Sequence, residues 1–208
     1  MSEARAIRRR QTVTALRAVV RTELVEFLRT RQFTREKGDN LIYRFRRRGA
    51  KQHDLLEIQF DKYRRPTFKI NLGVVPTSGI VDQLGRLRMA DDVLIWDLPD
   101  PAQLCAVPLR LPFMCWFGVG WFSAPTPEQA AERELRRVIR LFSQADRWFR
   151  TGRVGLYVSV HTYADLAPNA LRRHLEESGR WPPDYWTEED EEAVRQAEAL
   201  SGTGKELR

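Results

Sequence analysis

Cysteine is scarce in this 208-residue chain, and so are most of the signatures from which chemistry is read. Its two cysteines, Cys105 and Cys115, lack the CxxC spacing of a zinc or redox site. Both stand among apolar neighbours ("QLCAVPL", "PFMCWFG"), which favours buried structural thiols over a disulfide or a nucleophile. The three histidines, His53, His161 and His174, form no HExxH or HxH pair, so the common metal spacings are missing. "GVG" at 118–120 lacks the rest of a dinucleotide fingerprint, "GTGK" at 202–205 opens no helix, and no GxSxG elbow occurs. The expectation is a protein that is not an enzyme, with no cofactor and no metal.

Long apolar runs are missing as well. No stretch reaches ~18 uninterrupted apolar residues, which excludes an ordinary transmembrane helix. The N-terminus, "MSEARAIRRRQTVTALRAVV", places three arginines before an apolar stretch, as a signal peptide would. Arg17, Arg21 and Glu23 then interrupt the stretch and no small-residue cleavage site follows, so a cytoplasmic location is expected.

What the chain does carry is positive charge, nearly all of it arginine. The net charge of +7 divides into +11 over residues 1–75, zero over 76–152 and −4 over 153–208. Such asymmetry points to an anionic partner for the first third, or to pairing with the acidic tail.

Periodicity supplies the architecture. Val13, Leu16, Val20, Leu24, Phe27 and Leu28 recur at three- and four-residue steps and predict a helix over about residues 12–32. "NLIYRFRR", "LLEIQFDKY" and "TFKINLGVV" alternate with period two, predicting three strands in an antiparallel meander. Their inward phase is Leu41, Tyr43, Phe45; Leu56, Ile58, Phe60; Phe68, Ile70, Leu72. In the middle, "DDVLIWDL" and "AVPLRLPF" fit short strands or extended loop, and "FMCWFGVGWF" reads as a buried strand whose glycines mark a close backbone approach or a bulge. Thr126, Pro127 and Gln129 open a strong helix with apolar positions Leu135, Val138, Ile139, Phe142, Ala145 and Phe149. Its exposed side offers the pairs Glu132–Arg136 and Asp146–Arg150. A strand ("VGLYVSVHTY"), a short helix ("PNALRRHLEE"), a Pro-rich linker ("RWPPDYW") and an acidic helix capped by Thr187 complete the chain. The fold class expected is α+β: an antiparallel meander packed by two amphipathic helices over 1–160, with a helical appendage over 161–208.

The passage "LVEFLRTRQFTREKGDNLIYRF", the strands "LLEIQFDKY" and "FKINLGV", and the late "RVIRLFSQADRWF" resemble a bacterial family known as domain of unknown function 4304. The resemblance covers roughly residues 12–150. It departs from the family in its long middle segment and its abundance of Arg. It implies a small α+β bacterial domain without an assigned catalytic centre, of a kind sometimes found in settings of toxin and immunity exchange. Gln59 and Asn71 match the family's Gln and Asn.

Two candidate surfaces follow. The first belongs to a protein-binding module, immunity-type or chaperone-like. It takes the outward sheet face (Arg44, Arg46, Glu57, Gln59, Lys69, Asn71) and the linker aromatics Trp181, Tyr185 and Trp186, since aromatic anchors ringed by polar groups are common hot spots. The second is sequence-independent nucleic-acid binding. If the first helix runs back along the first strand, Arg8, Arg9 and Arg10 join Arg47, Arg48 and Lys51 at one corner. Tyr43 and Phe45 lie in the core phase, so this corner lacks stacking aromatics. The residues do not fix the partner's identity or the oligomeric state.

Overall fold

The computed structural model describes residues 3–108, 115–119, 126–183 and 185–202. The expected strand "AVPLRLPF" and the ends of "FMCWFGVGWF" lie partly outside those residues, as does the tail 203–208. The chain divides into two units. One comprises Met1–Arg48, Asp54–Gly73 and Ala102–Val160, the other Gly49–His53, Val74–Pro101 and His161–Arg208.

The first unit is α+β, as the alternations predict. Helix α1 (Glu3–Val19) passes through a π turn (Val20–Leu24) into α2 (Val25–Thr30), so the N-terminal helix starts nine residues earlier than its apolar face alone indicates. Leu16, Val20, Leu24 and Leu28 are each 2% exposed or less. Seven strands make the sheet: β1 (Thr34–Arg35), β2 (Ile42–Arg48), β3 (Gln52–Phe60), β4 (Thr67–Pro76), β7 (Ala102–Leu104), β8 (Trp116–Gly118) and β9 (Val158–Val160). β5 and β6, described below, belong to the second unit. The order is β1-β2-β3-β4-β7-β9, with β8 also paired to β4. The short links between β2, β3 and β4 permit only antiparallel neighbours.

Of the nine residues in the inward phase, eight are buried; Leu41, just before β2, is 36% exposed. Helix α3 (Pro127–Thr151) covers this face beside α1. Thr126 Oγ1 accepts from Gln129 N at 3.3 Å, and Gly152 closes the helix at φ 66, a left-handed value that glycine adopts without a steric penalty. Phe142 meets Phe27 edge-on at 5.2 Å and Phe33 at 6.2 Å. Glu132 pairs with Arg136 as expected. Asp146 instead serves Arg31 and Arg47, while Arg150 donates only to its carbonyl.

Two expectations need correcting here. β1 was invisible to periodicity, because its two residues are both exposed and offer no alternation. Cys105 and Cys115 are buried, as expected, but joined in a disulfide rather than free. The close approach read from the glycines is real at Gly118: a Cβ there would stand 2.5 Å from Thr67 Cγ2 on the paired strand.

The second unit holds a two-stranded ribbon, β5 (Ile80–Val81) and β6 (Leu87–Arg88), a 3-10 turn at Ile95–Asp97, and helices α4 (Ala170–Glu177) and α5 (Glu188–Gly202). Of the two readings of "DDVLIWDL", strand or loop, the loop is the one found, with a 3-10 turn inside it. α5 is docked by charge: Arg86 bridges Asp82 at 2.8 Å and Asp190 at 2.7 Å. That contact holds Asp190 below the usual carboxylate range, chiefly through the Arg86 hydrogen bond. Among the described residues, no helix is long and apolar enough to cross a membrane.

Candidate functional site: a basic groove

The direction of the first helix decides which cations meet. β1 lies antiparallel on β2, with Thr34 opposite Arg46. This adds one reversal between helix and meander, so α2 ends beside the end of β2, where Arg47 Nη1 donates to the Arg31 carbonyl at 3.4 Å. The start of α1 consequently lies at the other end of the sheet, against the β3–β4 turn. There Arg9 donates to the carbonyls of Tyr63 at 2.9 Å and Arg64 at 3.2 Å. The expected corner of Arg8, Arg9, Arg10, Arg47, Arg48 and Lys51 is therefore not assembled. Arg9 and Arg10 of its helical half join Tyr63 and Arg64 instead; Arg48 is 3.7 Å from Glu36, and Lys51 belongs to the second unit.

A turn of sequence "DKYRRP" builds the other wall. Asp61, 3% exposed, gathers it: its Oδ1 accepts from the backbone N–H of Tyr63 (2.8 Å) and Arg65 (3.2 Å). Its Oδ2 accepts from the Arg65 guanidinium at 2.6 and 2.9 Å. Burial pushes the Asp61 carboxyl up, but the Arg65 side chain and these two N–H groups outweigh it, and the net shift is downward. Arg64 turns the corner at φ 55, a left-handed value uncommon for a residue with a side chain. The result presents Tyr63, 65% exposed, and Arg64 to solvent.

Between helix and turn lies a groove of about 560 Å³, whose polar lining is Arg9, Arg10, Thr14, Arg17, Tyr63 and Arg64. Among the described residues no carboxylate pairs with any of its four arginines. The Arg17 guanidinium lies over the Phe60 ring at 5.1 Å, and its Nε is buried without an acceptor. Tyr63 is the residue that sequence reasoning missed. It lies three residues beyond Phe60 and off the apolar phase of β3, where an aromatic inside a basic burst reads as the end of a strand.

The outward sheet face is not the open surface expected. Arg46 and Glu57 are 1% exposed and Asn71 2%, while Arg44, Gln59 and Lys69 are half-buried. Their charges are answered within the sheet. Arg44 faces Glu57 at 3.4 Å, Arg46 bonds Glu36 at 2.5 Å, and Asn71 links Glu57 (3.1 Å) to Gln103 (3.0 Å). Burial depresses the Lys69 ammonium, partly opposed by Glu57, and its Nζ lies 5.6 Å from the Trp116 ring centroid. The charged side chains engaged in this way have little left to offer a partner; Gln59 Oε1 is the exception, buried without a donor.

In the second unit, Trp181 and Trp186 pack edge-on against each other at 4.5 Å with Arg172 over Trp181, which leaves Tyr185, 64% exposed, as the outlying aromatic. The larger cavity there, about 800 Å³, has Arg172 on its wall, already committed to Glu176 at 2.9 Å and Glu198 at 3.7 Å. No group of three His, Cys, Asp or Glu that could hold a metal ion occurs among the described residues. No family model, curated protein or solved structure matches this chain.

Proposed function

We propose that the protein binds nucleic acid through the groove between α1 and the β3–β4 turn, by charge and without reading base sequence. The observation that carries this is the set of Arg9, Arg10, Arg17 and Arg64, four guanidinium groups lining one concavity with no carboxylate to neutralise them. A polyanion releases its counterions on meeting such a surface, which supplies affinity independent of sequence. Among the described residues the groove's lining includes no Asn, Gln, Asp or Glu, so its arginines are assigned to the phosphate backbone.

The alternative, a protein-binding module of immunity or chaperone type, draws on the linker aromatics. It retains Tyr185 as an exposed anchor, but Trp181 and Trp186 already occupy each other, and the outward sheet face is spent on internal pairs.

Fluorescence anisotropy with a labelled 15-nucleotide dT oligomer at 50 mM salt tests the proposal. Wild type should bind, and the double variant Arg10→Glu/Arg64→Glu, altered only at exposed positions, should bind about 100-fold more weakly. That figure takes roughly 1.4 kcal/mol for each lost charged contact. Equal binding by both proteins would refute it. So would recovery from the host of a stoichiometric protein partner that survives nuclease and 300 mM salt and is lost on Tyr185→Ala.

A further inference from the structure

Resting on the groove as a nucleic-acid site, we infer that its ligand is a single strand, with one base stacked on Tyr63 and the adjoining phosphate held by Arg10 and Arg17. Three observations converge on this.

Tyr63 is one of the most exposed large apolar side chains among the described residues, yet its backbone is pinned by Asp61 and by Arg9. An exposed ring on a fixed backbone is a stacking platform whose ordering cost is met in the free protein. A duplex hides the faces of its bases, so such a platform is of use only to an unpaired strand. The cations beside the ring are Lys62, with Nζ 5.1 Å from its centroid, and Arg65 at 5.8 Å. Contacts of that exposed kind are weaker than a stacked base and yield to it, leaving the ammonium free to follow the backbone.

Arg17 supplies the second observation. Its guanidinium lies over the Phe60 ring, 5.1 Å from the centroid, which ties the side chain to the core, and among the described residues no carboxylate pairs with it. A phosphate in the groove supplies the missing negative charge through charge-assisted bonds. The third is size. A concavity of about 560 Å³ lies in the range of about 300–1,000 Å³ that takes a small ligand, enough for part of one strand.

The test compares a 15-nucleotide dT oligomer with a 15-base-pair duplex at 50 mM salt, for wild type, Tyr63→Leu, Tyr63→Phe and Arg17→Lys. The single strand should bind wild type at least tenfold more tightly than the duplex. Tyr63→Leu should weaken the single strand roughly 5- to 100-fold, the range measured when a stacking aromatic is removed. It should leave the duplex unchanged, and Tyr63→Phe should stay within about twofold of wild type because the ring is kept. Arg17→Lys, which preserves the charge but removes the planar guanidinium fork, should also weaken the single strand. Duplex binding as tight as single-strand binding, or a Tyr63→Leu variant indistinguishable from wild type, overturns this inference while the groove itself stands. Failure of wild type to bind either probe overturns the groove and this inference together.

Discussion

Two arginine clusters in the same unit meet opposite fates. Arg44, Arg46 and Arg47 on β2 are buried or half-buried and each faces a carboxylate: Glu57, Glu36, and the pair Asp54 and Asp146. Arg9, Arg10, Arg17 and Arg64 line a groove in which, among the described residues, no carboxylate pairs with them. Residue type and local charge density are alike in the two, so neither separates structural arginines from binding ones. The difference is what stands across from them. On β2 acids come from three sides, Asp54 and Glu57 on β3, Glu36 just past β1 and Asp146 on α3; in the groove the neighbours are a helix face and a turn whose one acid, Asp61, is buried. Neutralised arginine stabilises and stays silent, whereas unneutralised arginine is available to a partner.

If that distinction holds, variants in the first cluster should alter stability and leave oligonucleotide affinity unchanged, with the reverse in the second. Arg47→Ala should have the largest effect. It leaves Asp54 and Asp146 without their shared cation and strips the guanidinium from the rings of Phe33 (4.6 Å) and Phe149 (5.4 Å). A loss of about 3 kcal/mol is expected in urea unfolding, because a half-buried charge pair and two ring contacts go together, although Asp146 keeps Arg31. Oligonucleotide affinity measured on the remaining folded protein should be that of wild type; a parallel drop in affinity would erase the comparison.

Glu36→Ala comes next, at about 1.5–3 kcal/mol, because Arg46 is 1% exposed and loses a charged hydrogen bond. Asp61 sharpens the comparison, since it is structural but supports the binding side. Its carboxyl lies lower in the folded state than in the unfolded chain, so its contribution is present above about pH 4 and fades as pH falls through the folded value. Asp61→Asn should flatten the stability profile below pH 4 and, by loosening Tyr63 and Arg64, weaken oligonucleotide binding several-fold at pH 7. A profile identical to wild type would show that Asp61 does not organise the turn. The smallest effect belongs to Asp190→Asn, at under about 1 kcal/mol in thermal unfolding, because its partner Arg86 keeps Asp82 and the contact lies near the surface.

Much of the fold was legible because its signals are local. Alternation in "LLEIQFDKY" and "TFKINLGVV" places β3 and β4, and Thr126 with Gln129 marks the start of α3. The groove was not, because it depends on one reversal of the chain. β1 is two exposed residues with no apolar phase, and without it the helix points the wrong way and gathers the wrong cations. The outward face was misjudged for a related reason. Period two tells which side a residue takes but not whether that side is covered, so Arg46, Glu57 and Asn71 read as surface although they are among the least exposed polar side chains.

The salt dependence of binding tests the central claim most directly. The affinity of the wild-type protein for the dT oligomer, measured from 50 to 400 mM salt, should fall linearly on logarithmic axes with a slope of about −2 to −3, as expected for three or four phosphates on a single strand. A slope near zero, or no binding at 50 mM, would mean that the unpaired arginines of the groove do not hold a nucleic-acid backbone.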